Sequence, residues 1–74
     1  MTMTIQARKA PGFSRRKFIK ALDRAEMEPK ELADEMGASV EAVARWMAGI
    51  AVPRPVYADK AAEILGVDTD YFYE

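Results

Sequence analysis

Glycine and proline divide this sequence into pieces too short for anything but small helices. Gly37, Gly49 and Gly66 each close a run of helix-forming residues, where glycine takes the left-handed conformation that ends a helix. Pro29 and Pro55 stand where a first helical turn has no use for a backbone N–H, and Pro53 with Pro55 makes residues 50–54 a loop. The pieces left between these breaks run over residues 14–25, 29–36, 39–48 and 55–65, with a last turn or two after Asp68.

Within each piece the apolar residues fall at helical spacing. Phe18, Leu22 and Ala25 recur at i, i+4 and i+7 and predict the inner face of a first helix. Ser14 is placed to cap it, with Phe13 and Phe18 closing over the first turn as a hydrophobic staple. Leu32, Ala33 and Met36 supply a short second helix, whose Glu31 lies at the favourable end of the helix dipole. Ser39 caps a third helix ending near Ala48. The fourth presents Val56, Ala61, Ala62, Ile64 and Leu65, and Asp68 caps a closing turn that carries Phe72 inward. No segment reads as a strand and none repeats. The expectation is an all-α, compact five-helix domain over residues 13–74, preceded by a flexible basic arm over residues 1–12.

Composition narrows the function. The chain has no cysteine and no histidine, so the usual zinc-finger ligands, the commonest general base and the most reactive thiol nucleophile are absent. We therefore expect no enzyme, no metal, no cofactor and no small-molecule ligand. Net charge is −1, but it is unevenly divided. Residues 1–25 hold seven cations against Asp23, a balance of +6, while residues 26–74 hold four cations against eleven acids, a balance of −7. A basic end of this kind suits a polyanionic partner.

The stretch Ser14-Arg15-Arg16-Lys17-Phe18-Ile19-Lys20 resembles a twin-arginine export signal, yet the segment directly after it, residues 21–36, is interrupted by Asp23, Arg24, Glu26, Glu28, Lys30, Glu31, Asp34 and Glu35 where such a signal needs an unbroken apolar run. The expectation is a cytoplasmic protein without a membrane segment. Arg15, Arg16 and Lys17 then lie on a first helical turn, where the dipole disfavours cations by some tenths of a kcal/mol each. Folding alone would not select them, whereas a phosphate site would.

A short helix, a glycine corner and a serine-capped second helix describe a helix-turn-helix over residues 29–48. Ala33 is small where the two helices touch, Gly37 turns the corner and Val43 fills the wedge between them. On the third helix, Ala42, Val43, Trp46 and Met47 share one side, and Glu41, Ala44, Arg45 and Ala48 share the other. The first set is core, Trp46 included; the second, with its two alanines, is the face able to approach base edges closely. Arg45 suits guanine, Glu41 a cytosine amino group, and Val40 a thymine methyl. The plain structural alternative for Glu41 and Arg45 is a solvated i,i+4 ion pair worth about 0.3–0.5 kcal/mol. Tyr71 and Tyr73 flank Phe72 and cannot both turn inward, which leaves them exposed or part of a dimer patch.

The segment "ELADEMGASVEAVARWMAGIAVPRP" resembles the Cro/repressor-type helix-turn-helix family through Leu32-Ala33, Gly37, Ser39, Val43, Arg45-Trp46, Gly49 and Pro53. The tail "AAEILGVDTDYFYE" is similar to that family's last two helices. The chain departs from the family's common pattern at Pro29, where glutamine is usual, and at Met47, where glutamate is usual. The resemblance implies a sequence-specific regulator of phage or plasmid type, a repressor that binds a palindromic double-stranded operator as a homodimer. Base reading falls to Val40, Glu41, Ala44, Arg45 and Ala48. Phosphate contacts fall to Arg8, Lys9, Arg15, Arg16, Lys17, Lys30, Ser39 and Arg54. The rival reading is a protein-interaction module on the same fold, whose acidic half meets a basic partner such as a host factor or toxin.

Overall fold

The structure is a computed structural model and describes residues 12–73. Four α-helices follow one another: α1 (Arg15–Arg24), α2 (Pro29–Met36), α3 (Val40–Ala48) and α4 (Pro55–Leu65). The fifth expected helix is a single 3-10 turn, Thr69–Phe72. Among the described residues the only β geometry is one isolated antiparallel bridge between Phe13 and Tyr73.

The helix starts follow the chemistry of their first residues. Ser14 Oγ accepts from the Lys17 N–H at 3.2 Å, and Ser39 Oγ accepts from the Ala42 N–H at 3.1 Å. The Phe13 and Phe18 rings meet at 5.5 Å, the staple foreseen at the start of α1. α2 opens on Pro29, with the Glu28 N–H donating to Glu31 Oε1 at 2.8 Å, so an acid in the first turn satisfies the free donor before it.

The helix ends share one device. Gly37, Gly49 and Gly66 have φ of 75°, 79° and 75°, and Glu26 does the same work after α1 at φ 54°. In each case the next N–H reaches back five residues: Met27 to Leu22, Ala38 to Ala33, Ile50 to Arg45 and Val67 to Ala62, all at 2.9–3.0 Å.

Phe18, Leu32, Met36, Val43, Trp46 and Phe72 form the centre of the core, with alanines 21, 33, 61 and 62 where helices approach closely. Phe18 joins the layers, its ring 6.2 Å from Trp46 and 5.5 Å from Phe72. The C-terminal turn is tied to the start of α1 by Phe72, which is fully buried, and by the Ser14 N–H donating to the Phe72 carbonyl at 2.6 Å. No polar side chain among the described residues is buried, so apolar packing fixes the helix arrangement.

Three expectations need correction. Ala25 is exposed, because α1 stops at Arg24 and the chain turns left-handed at Glu26; Ala21 takes its place inside. Val56 is 60% exposed, since the inner face of α4 runs through Ala58, Ala61, Ala62 and Leu65, and Val56 lies about 200° around the axis from Ala58. The Asp68 side chain makes no capping bond; the Thr69 hydroxyl instead donates to Asp59 on α4 at 2.8 Å.

Candidate nucleic-acid interface

α2 and α3 pack across the Gly37 corner, with Ala33 and Val43 both fully buried between them. This packing decides the orientation of α3. Val43 and Trp46 hold its inner side, and Ala42 and Met47 are half-buried at the edges. Glu41, Ala44, Arg45 and Ala48 are all exposed, and Val40 is 40% exposed at the helix start. The five residues read as base-facing thus share one solvent face, and its two alanine methyls leave room for a base pair's edge.

The cations expected at phosphates come from α1, α2 and the residue before α4. Lys30 is exposed in the first turn of α2, and Arg54 is exposed just before α4. Ser39 is exposed at the N-terminus of α3; while its oxygen accepts from Ala42, its hydroxyl proton stays free to donate to an anion. Arg16 is exposed on the first turn of α1, and Lys17 is half-buried, its ammonium 5.4 Å from the centroid of the Tyr71 ring. Arg8 and Lys9, with the rest of residues 1–11, lie outside the described residues.

Arg15 has a role that pattern reading missed. Its Nη1 donates to the Met47 carbonyl at 3.3 Å, at the C-terminal end of α3. That end bears the negative pole of the helix dipole and unpaired carbonyls, which a guanidinium complements. The same side chain lies against Gly49, where a Cβ would come within 2.9 Å of Arg15 Cδ. Arg15 therefore ties the start of α1 to the end of α3. A glycine beside the last turn was the visible clue, but the partner is 34 residues away and only the fold brings it there.

A second feature also escaped pattern reading. At three of the four helix ends, the residue after the left-handed position packs on the core: Met27, Ala38 and Val67. After α3 that residue is Ile50, and it is 76% exposed. Val52 at 63% and Val56 at 60% lie near it in the chain and are likewise out of the core.

A small helix, a tight corner and a second helix held with a small-residue face outward define a helix-turn-helix domain. The helix-turn-helix family model matches residues 19–72, and the chain belongs to that family. No curated protein sequence matches closely enough to count as a relative. Among solved structures, the fold is similar to the SOS-response transcriptional repressor LexA of Eubacterium rectale, at 22% identity and a TM-score of 0.76, over 81% of this chain and 64% of that one. It is also similar to HppE, solved with iron(II) and a substrate, at 20% identity and a TM-score of 0.73, over 81% of this chain and 35% of that one. The chain spans less than two thirds of either protein, and at these identities the likeness is one of fold. Among the described residues no group of acids could hold a metal ion, and no helix is long and apolar enough to cross a membrane.

Proposed function

We propose that this protein is a sequence-specific repressor of phage or plasmid type that occupies a palindromic operator as a homodimer, with α3 in the major groove. The observation that carries the reading is the exposed face of α3, on which Arg45 stands between Glu41 and Ala48 with alanines beside it, while Val43 and Trp46 lock the opposite side. Arg45 would pair bidentately with guanine, Glu41 would accept from cytosine, and Val40 with the alanines would pack against thymine methyls. Arg16, Lys17, Lys30, Arg54 and the Ser39 hydroxyl would hold phosphates on either side, and Arg15 would do so from its position at the end of α3. Arg8 and Lys9 enter on their charge alone, as arm residues able to follow the backbone or a minor groove. For the homodimer, Ile50, Val52 and Val56 supply exposed apolar side chains in the segment that follows α3. A two-fold contact there would bring two recognition helices close to one axis, as half-sites one helical turn apart require.

The test is a binding titration against a selected operator and a random duplex. Arg45→Ala should weaken operator binding by about 1–3 kcal/mol and leave random-duplex binding unchanged, whereas Lys30→Ala with Arg54→Ala should weaken both and lower the salt slope by about one per cation. If the protein ignores duplex DNA even at low salt, the interaction-module reading replaces this one.

A further inference from the structure

The solvent side of α1 carries two cations that the DNA reading leaves unused, Lys20 and Arg24, in line with Arg16. Arg16, Lys20 and Arg24 stand at i, i+4 and i+8, so they form one exposed stripe with a repeat of about 6 Å along the helix. Beside the stripe, α1 and Tyr71 enclose an open groove of about 630 Å³. Its cationic rim is Arg16, Lys17, Lys20 and Arg24, its one acid is Asp23, and Ile19 and the Tyr71 ring line it with apolar surface. The rim charge is four minus one, or +3.

The Lys20 and Arg24 end of this groove lies well around α1 from the Arg15 contact with α3. Arg15 points to the end of α3, and at about 100° per residue Lys20 lies roughly 140° and Arg24 roughly 180° around the helix from it. The shape and chemistry select the occupant. Cations alone would suit any polyanion, but a duplex backbone offers no apolar group to a concavity lined by isoleucine and tyrosine. A polypeptide does, and a helix with carboxylates at i, i+4 and i+8 repeats at the same 6 Å as the stripe.

We propose that the groove docks an acidic amphipathic helix of a protein partner, one bulky apolar side chain seated against Ile19 and Tyr71 and its carboxylates facing Arg16, Lys20 and Arg24. The inference stands without the DNA reading.

The probe is a fluorescein-labelled synthetic helix of about five turns, with glutamates at i, i+4 and i+8 around a single leucine, titrated with the full chain at about 50 mM salt, where rim charges are weakly screened. Binding by anisotropy is expected, and it should weaken about tenfold or more with Lys20→Glu/Arg24→Glu in the protein, or with Leu→Ser in the peptide. Circular dichroism checks that the exposed charge reversals leave the fold intact, and Lys20→Ala/Arg24→Ala serves if they do not. The proposal is overturned if the peptide binds no better than a version with lysines for glutamates, or if the protein variants bind it as well as wild type. It is equally overturned if binding of a short random duplex depends on Lys20 and Arg24 to the same extent, since that describes a general polyanion surface.

Discussion

Replacing Gly49 with alanine tests how α3 is held. The three glycines that end α2, α3 and α4 have nearly the same backbone, with φ of 75–79°, so alanine at any of them incurs a left-handed strain of about 1–2 kcal/mol. At Gly37 and Gly66 nothing lies within 4 Å of the added methyl, and strain is the whole effect. At Gly49 the methyl falls 2.9 Å from Arg15 Cδ, well inside the usual carbon–carbon contact of about 3.5–4.0 Å. The flexible arginine moves aside cheaply, but it gives up its hydrogen bond to the Met47 carbonyl. For an exposed charge-assisted bond that loss is about 0.5–1 kcal/mol. Gly49→Ala should therefore destabilise the domain by about that much more than Gly37→Ala, and in an Arg15→Ala background the excess should vanish. Urea unfolding can be followed by the fluorescence of Trp46, the sole tryptophan, which is 5% exposed when folded. No excess at Gly49, or an excess that survives Arg15→Ala, refutes the coupling between α1 and α3.

Phe72→Ala removes a fully buried ring that joins the C-terminal turn to Phe13 and Phe18; a loss of about 3–5 kcal/mol should leave much of so small a domain unfolded at 37 °C by circular dichroism. Ser39→Ala deletes the cap of α3 and should cost about 1 kcal/mol in urea unfolding, with a larger loss of operator affinity than Ser14→Ala, which removes an equivalent cap from α1. Ile50→Glu, at a site 76% exposed, should leave the melting temperature unchanged while abolishing any concentration-dependent dimer in analytical ultracentrifugation.

Most of the fold is legible in local chemistry, because its boundaries are set by single residues. Ser14 and Ser39 cap, Pro29 and Pro55 open, and Gly37, Gly49 and Gly66 close, each within one turn of the residue concerned. The division of α3 into a core side and an exposed side follows from period alone. Errors arise where a periodic pattern is carried past a helix end, as at Ala25, or back into a first turn that faces solvent, as at Val56. What local pattern does not contain is the pairing of distant parts. Arg15 meeting Met47, Lys17 meeting Tyr71, and a groove between α1 and the C-terminal turn all depend on residues at least 32 positions apart. Of these, only the i, i+4, i+8 spacing of Arg16, Lys20 and Arg24 was there to be read beforehand.

The central claim is that the outward face of α3 reads base sequence. Selection of bound duplexes from a randomised pool tests it most directly. The account predicts enrichment of a palindrome whose half-sites lie about one helical turn apart, with a guanine whose selection is lost in Arg45→Ala. A pool that enriches nothing, or enriches the same sequence with and without the Arg45 side chain, contradicts it.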